Sequence, residues 1–435
     1  MSSAGQDFIV YQVGKELTQD PQDLINSLLS KYFVGQSGIR YFPTDIVITN
    51  PNIEEYEFLD SAHLKLILDT NEKWITIGSY RASFYVDPDR IFKIWLSLRS
   101  LNIKVRLRIF PSFMGTNGSI SEYEVINIDP EKKEEYQLKL EALKKARVVS
   151  CNVEAKGEGA LILGVLHWRW SRKEVGTFIP GGQRIVDQIN HDDIAYHFNP
   201  GDMKPPLNVY FSGARGLEGF EAYPMFRKMK APALLFTDMR LSVGEFYEDA
   251  SQSIGEQIMA VIDKTLEKLG FSHDQLVMTG ISMGTYPALK YGAQMQAHAI
   301  IVAKPITNLG YVASRERLQR PDEFDTIFDI DNQFVNHLDL DHLKELDQLF
   351  WERFEMCDLI KTRLFIGYMI NDDYDNRTVA RLKESKTIKK ARQIVYKGYE
   401  GRHNDNPQIV QWFIERVQQI LATDFGRKMK NGTDY

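Results

Sequence analysis

The stretch Leu276-Val-Met-Thr-Gly-Ile-Ser-Met-Gly284 decides how the rest of the chain is read. An apolar run ends in Gly280-Ile-Ser282-Met-Gly284, a G-x-S-x-G, and a helix-like segment, Thr285-Tyr-Pro-Ala-Leu-Lys-Tyr-Gly-Ala293, follows it. Strand, strained turn and helix in that order form the pattern of a nucleophile elbow. The turn has to be sharp, so Gly280 and Gly284 let strand and helix approach without a Cβ clash. The helix then points its N-terminal amides and positive dipole end at the serine oxygen. Taken alone, a G-x-S-x-G is more often a Gly/Ser turn between core elements. Here the strand before it and the helix after it supply the context that the motif requires.

Downstream of Leu207 the texture is that of an α/β domain, with short apolar strands alternating with helical patterns. The expected strands are 207–212, Ala233-Leu-Leu-Phe-Thr237, Gln275-Leu-Val-Met-Thr279, Ala299-Ile-Ile-Val-Ala303, Leu364-Phe-Ile-Gly-Tyr-Met369 and Gln393-Ile-Val-Tyr396. Ile254, Ile258, Val261, Ile262, Leu266 and Leu269 mark one face of an amphipathic helix between the second and third. Ile409, Trp412, Phe413, Val417 and Ile420 mark the last helix. A long acidic, aromatic segment, 306–358, interrupts the alternation where this topology places a lid or cap. Its Asp329-Ile-Asp331-Asn332 lacks the glycine that an EF-hand loop needs, so solvated acidic helices are the favoured reading and no metal site is expected.

A nucleophilic serine needs a base in hydrogen-bond reach and an acid to orient that base. In an α/β-hydrolase-like sheet they follow in the order Ser, acid, His. His403, in a glycine-rich loop before the last helix, stands where the base belongs. His298, His337 and His342 lie in a strand or in the insert and suit the role poorly. The acid should follow the preceding strand, where Asp372 is the first choice, Asp373 the second and Asp375 the third. For two of these three the bland reading is turn or N-cap chemistry. The oxyanion hole should use the amide of Met283 and one from the loop Ser212-Gly-Ala-Arg-Gly-Leu-Glu-Gly219, with Ala214 preferred and Arg215 next. No Lys-Ser/Thr follows that loop, which weakens a phosphate-cradle reading.

Upstream, residues 61–200 read as β. His63-Leu-Lys-Leu-Ile-Leu, Trp74-Ile-Thr-Ile-Gly-Ser-Tyr and Ile103-Lys-Val-Arg-Leu-Arg-Ile-Phe show alternation or β-branched runs, and Ala160 to Trp170 continues them. The punctuation suggests a β-sandwich, jelly-roll-like. Trp168, Arg169 and Trp170 invite a glycan-contacting role, while the commoner reading puts Trp168 and Trp170 together in a core. Glu131 to Lys145 reads as a solvated helix or linker. Residues 1–60 are unassigned, apart from strand-like Phe8–Val13 and Asp45–Thr49 and a helix-like 20–32; residues 428–435 form a tail.

The bulk properties bound the function. The chain has 435 residues, long enough for two domains, with 43% hydrophobic and 26% charged residues. A net charge of −6 gives no footprint for nucleic acid. Two cysteines, Cys151 and Cys357, form neither a disulfide framework nor a C-x-x-C pattern. Neither a signal-like start nor a membrane-length apolar run is seen, so a cytoplasmic protein is expected.

With the site assembled, the chain resembles the serine-hydrolase-like component of the accessory Sec system, the bacterial export route for serine-rich-repeat glycoproteins. The matching stretches are His167-Trp-Arg-Trp-Ser-Arg172, Phe198 to Gly213, Gly280-Ile-Ser-Met-Gly-Thr285, Lys304-Pro305, Asp372-Asp-Tyr-Asp375 and Gly401-Arg-His-Asn-Asp-Asn406. The resemblance covers about residues 146–425. It implies O-acetylation of N-acetylglucosamine on the exported glycoprotein through Ser282, His403 and Asp372. It also implies a role in export beside the other accessory Sec proteins and the dedicated SecA-type ATPase, peripheral to the export site. The β module would then be glycan-contacting, and no cofactor would be tightly bound, the acetyl donor being left open. Two other classes compete: a carbohydrate esterase or deacetylase with the same triad, and a non-catalytic export adaptor on a hydrolase fold.

Overall fold

The computed structural model describes residues 38–53, 55–86, 91–100, 102–112, 124–138, 147–171, 176–179, 181–187, 191–242, 244–249, 253–319, 329–330 and 340–428. The expected elements at 8–13 and 20–32 and the tail beyond residue 428 lie outside them. The chain divides into two compact units, one of residues 1–193 with 216–219 and one of residues 194–215 with 220–435.

The first unit is antiparallel in every described pairing and is organised on one strand, Arg147–Ser171. Residues 147–157 of that strand pair with Phe84–Val86, Ile75–Tyr80 and Ile103–Ser112. Residues 158–171 pair with His63–Asp69, Ile91–Ser100 and Gly38–Tyr41. Gly157 and Gly159 take φ of +130° and +139° where the strand changes partners, a conformation that residues with a Cβ rarely adopt. Both halves feed one core, in which Leu64, Ile94, Leu107, Val153 and Trp168 are buried together.

Several expectations for this unit need correcting. Trp168 is 1% exposed and packs against Phe84 and Phe92, at ring-centroid distances of 4.8 and 5.6 Å, so it is core and presents no surface to a glycan. Arg169 is buried and spent on Glu218, Asp193 and Glu135, at 2.8, 2.6 and 3.0 Å. Trp170 pairs with Phe92 at the end of the same strand, and its side chain lies outside the described ones. The charged 131–145 stretch contains a strand, Tyr136–Leu138, paired with Phe92–Ile94, because Leu138 joins the core. Strand pairing also begins before residue 61: Ile46–Ile48, inside the strand-like Asp45–Thr49, pairs with Ile75–Tyr80, and Gly38–Tyr41, unassigned from sequence, pairs with the long strand.

The second unit carries strands β1 (Asp193–Asn199), β2 (Leu207–Phe211), β3 (Ala233–Asp238), β4 (Leu276–Ile281), β5 (Ala299–Ala303), β6 (Arg363–Met369) and β7 (Gln393–Tyr399). They stand in the order β1-β3-β2-β4-β5-β6-β7. The strands from β3 to β7 run parallel, and β1 is antiparallel to β3. Ile194–Asn199, expected to close the β module, therefore pair with Ala233–Asp238 instead.

The helices are α1 (Tyr223–Met229), α2 (Ser253–Leu269), α3 (Thr285–Gln294), α4 (Leu309–Gln319), α5 (Leu340–Glu355), α6 (Thr378–Glu384) and α7 (Gln408–Thr423). Strand side chains alternate between the two faces of the sheet. Val277, Ile301 and Phe365 share a core with Phe226 of α1 and Phe413 of α7. On the other face, a Cβ added to Gly292 of α3 would meet Met278 and Ile300. A buried Val, Leu or Ile contributes about 1.5–3 kcal/mol, so strands covered on both faces make this sheet the rigid support of what lies at its ends.

Candidate active site

Strand order reverses at β2, which has β3 on one side and β4 on the other, and in open parallel sheets ligand crevices form at such a switch, beyond the carboxyl ends of the strands. Ser282 follows β4 directly, in a single 3₁₀ turn, Ser282–Gly284, that leads into α3. Its φ is +54°, an outlier for a residue with a side chain, and the two glycines explain how the turn tolerates it. A Cβ on Gly280 would lie 2.1 Å from the Gly284 carbonyl oxygen, and one on Gly284 would lie 2.0 Å from that of Phe211. Thr285 Oγ1 donates to the Ser282 carbonyl at 2.6 Å and pins the turn.

Three side chains from three strand ends meet in series. Ser282 Oγ is 2.9 Å from His403 Nε2, and His403 Nδ1 is 2.9 Å from Asp372 Oδ2. The other oxygen of Asp372 accepts the amides of Tyr374 and Asp375, at 2.9 and 3.3 Å. Burial works to raise the Asp372 pKa, but the hydrogen bond and charge of His403 and those two amides outweigh it, so the carboxyl sits below its ordinary value. His403 is 1% exposed, and Tyr374 stacks on its ring at 4.2 Å.

The other two acids do different work. Asp373 Oδ1 accepts the backbone amide of His403 at 3.0 Å. Asp375 does not reach the imidazole. It is buried and accepts the amides of Thr307, Asn308 and Thr378, at 2.9, 2.8 and 3.1 Å, along with the side chains of Asn308 and Thr378. His298 is paired with Asp424 at 2.7 Å, and His337 lies outside the described residues.

The loop after β2 approaches the same serine. A Cβ added to Gly213 would lie 3.7 Å from that of Ser282. Two groups that the sequence did not flag hold this loop. Tyr247 OH donates to the Ser212 carbonyl at 2.9 Å, and Glu221 accepts the Gly213 amide at 3.1 Å and Tyr210 OH at 2.9 Å. With the Gly213 amide engaged, the next amide along is that of Ala214, half-buried beside Arg215. Met283, following the serine, is fully buried, and a Cβ on Gly244 would strike its sulfur. Lys304 follows β5, the strand beside β4, and its sequence position carried no assigned role. No spacing rule links it, Glu221 or Tyr247 to Ser282.

Among the described residues no cluster of His, Cys, Asp or Glu could hold a metal, and no helix is long and apolar enough to cross a membrane. Of the Asp329–Asn332 tetrapeptide only Asp329 and Ile330 are described, and both are buried.

Comparison with known proteins adds to this geometry. Residues 5–427 match the protein family described as an accessory Sec system GspB-transporter. An accessory Sec system protein of Staphylococcus aureus is 37% identical over 407 residues, covering 92% of this chain and 76% of the relative. Its counterpart in Streptococcus gordonii is 34% identical over 413 residues, covering 94% and 79%. Among solved structures, a chain of the glycosylation-associated Gap123 complex of Streptococcus agalactiae superposes with a TM-score of 0.83 at 34% identity, covering 91% of this chain and 76% of that one.

Proposed function

Because the chain belongs to the accessory Sec system GspB-transporter family, we propose that it serves that export route as an enzyme. In this reading it is an O-acetyltransferase that moves an acetyl group onto N-acetylglucosamine of a serine-rich-repeat glycoprotein, with Ser282 as nucleophile, His403 as base and Asp372 as orienting acid. The parallel-sheet unit is read as an α/β-hydrolase fold and the β unit before it as a sandwich. The observation that carries the proposal is the unbroken series Ser282–His403–Asp372 at the end of β4.

The mechanism is double displacement. Asp372 on Nδ1 keeps the proton there, so Nε2 faces Ser282 Oγ as an acceptor. Nε2 takes the hydroxyl proton as Oγ bonds to the acetyl carbonyl carbon of the donor. The amides of Met283 and Ala214 hold the oxyanion, and their placement costs no reorganisation at the moment of reaction. As the tetrahedral adduct collapses, the bond to the donor's leaving group breaks and His403 returns the proton to that group. Nε2 next accepts the proton of a sugar hydroxyl, whose oxygen attacks the acetyl-serine. Collapse releases the ester and returns that proton to Ser282. With water in place of the sugar, the same steps give an esterase.

The proposal also places the protein in the cytoplasm, with other accessory Sec proteins and the SecA-type ATPase as partners. The likeness to a chain solved within the Gap123 complex supports assembly with such partners. Mass spectrometry of the glycoprotein's glycans, co-expressed with wild type or Ser282→Ala, tests the chemistry. Acetyl mass present with wild type and absent with the variant is the expected result, and full acetylation by Ser282→Ala would sink the mechanism. Family membership also favours an adaptor role, which would survive Ser282→Ala as continued export of the glycoprotein.

A further inference from the structure

We propose that Lys304 is a substrate-binding residue that holds an anionic group of the acyl donor beside Ser282. This rests on the acyl-transfer reading above and adds to it the chemical class of the donor.

The argument begins with register. Ile281 of β4 pairs with Ala303 of β5, so Ser282 and Lys304 leave adjacent parallel strands side by side. Both have left the strand conformation, with φ of +54° and +59°. A non-glycine residue held there is strained, and such strain persists where the surroundings over-determine it, commonly at functional sites. The Lys304 amide donates to the Gly367 carbonyl at 2.9 Å, and Pro305 follows, so the backbone that carries the side chain is fixed on both sides.

The ammonium is the unfinished part. Lys304 is half-buried, yet among the described residues no hydrogen bond or ion pair reaches its side chain. Burial depresses its pKa, while the charges of Asp372, the acid on His403, and Glu221, the acid on the Gly213 amide, work the other way. Among the described contacts neither carboxylate bonds the ammonium: Asp372 serves His403 and two amides, and one oxygen of Glu221 serves Gly213 and Tyr210. A cation with three donors, partly withdrawn from water and left unpaired, carries a desolvation cost that an external anion would offset. The proposed acceptor is a neutral sugar hydroxyl, so the anion belongs to the donor.

Full-chain wild type, Lys304→Gln and Lys304→Arg are compared on two donors of one acyl group, anionic acetyl phosphate and neutral 4-nitrophenyl acetate, with Ser282→Ala as control. The readout is the ratio of kcat/KM for the anionic donor to that for the neutral one, which cancels a general loss of folded enzyme. Lys304→Gln is expected to lower that ratio about 10- to 100-fold, as for losing a charge-assisted hydrogen bond, chiefly through KM for acetyl phosphate. Lys304→Arg is expected to keep most of it. A ratio unchanged in Lys304→Gln, or lowered equally in both variants, overturns the proposal and leaves Ser282 chemistry standing. Turnover of both donors that is undiminished in Ser282→Ala removes the acyl-transfer reading, and this inference with it.

Discussion

Four consecutive residues show how similar groups divide one task. In Asp372-Asp-Tyr-Asp375, the first acid orients the His403 ring, the second holds the His403 amide, the tyrosine stacks on the ring, and the third fastens the 307–308 turn and Thr378. Chain order and loop position made Ser282 and His403 legible in the sequence, and left Asp372 first among three. What separates the acids is which donors face them, and that is set by backbone outside the segment. Tyr247 was hidden for the same reason. Its OH serves Ser212, its amide bonds Asp238 at 2.9 Å, and its carbonyl accepts Tyr291 OH from α3 at 2.7 Å, so it ties the elbow helix to the loop beside Ser282. Tyr247→Phe keeps the ring and removes the hydrogen bond to the Ser212 carbonyl. The expected result is a fall in kcat of about 10-fold with KM changed by less than about 2-fold, because misplacing the amide proposed for the oxyanion hole would weaken the transition state more than the ground state. An equal change in kcat and KM, or none, would show that the loop is held without this phenol.

Among the elements, the strands of the parallel sheet were the most legible, since short apolar runs between glycine-rich turns leave few other assignments. The long strand of the β unit was the least, because a change of partner near Gly157 leaves no mark but two glycines in a run that reads as continuous. The insert was expected as solvated acidic helices, and α4 and α5 do lie there. Residues 320–328 and 331–339 between them are outside the described ones. These helices are not merely solvated. Trp351 of α5 donates to Asn308 at 2.9 Å, and Phe350 packs on Tyr286 of α3 at 5.1 Å.

Asp347 of α5 is an acid turned inward, accepting the Tyr311 amide at 3.2 Å, and burial pushes its pKa up to about 6. An acid with a folded pKa above its unfolded value holds a proton in the folded state that the unfolded chain has already released. Stability is therefore unaffected below about pH 4 and falls as pH rises to about 6. Asp347→Asn keeps the acceptor and removes the charge. It should raise stability at pH 8 by up to about 3 kcal/mol, an advantage that disappears by pH 4 in urea unfolding curves. A gain independent of pH would trace the effect to packing rather than ionisation.

At the scale of the molecule, residues 216–219 belong to the first unit although residues 215 and 220 belong to the second. Sequence reading treated Gly216-Leu-Glu-Gly219 as the tail of the loop beside Ser282, because nothing in its composition marks a change of unit. The reason is Glu218. It is 1% exposed, its amide donates to the Gly38 carbonyl at 3.1 Å, and its carboxylate meets His167 and Arg169 of the long strand. Burial works to raise its pKa, and Arg169, His167 and Arg40 more than reverse it, so the carboxyl is held below its ordinary value. For a depressed acid, the stabilisation is complete at neutral pH and is lost only as pH falls through the folded value. Removing one partner of such a buried network leaves the others desolvated without compensation, which costs more than the ion pair itself is worth. Glu218→Ala should therefore destabilise the protein by about 3–5 kcal/mol in urea unfolding at pH 7, with less loss at the acid end. A loss under about 1 kcal/mol at pH 7 would mean that Asp193 and Glu135, the other acids on Arg169, carry the network without it. The prediction concerns the first unit alone, so it is a separate test from every substitution around Ser282.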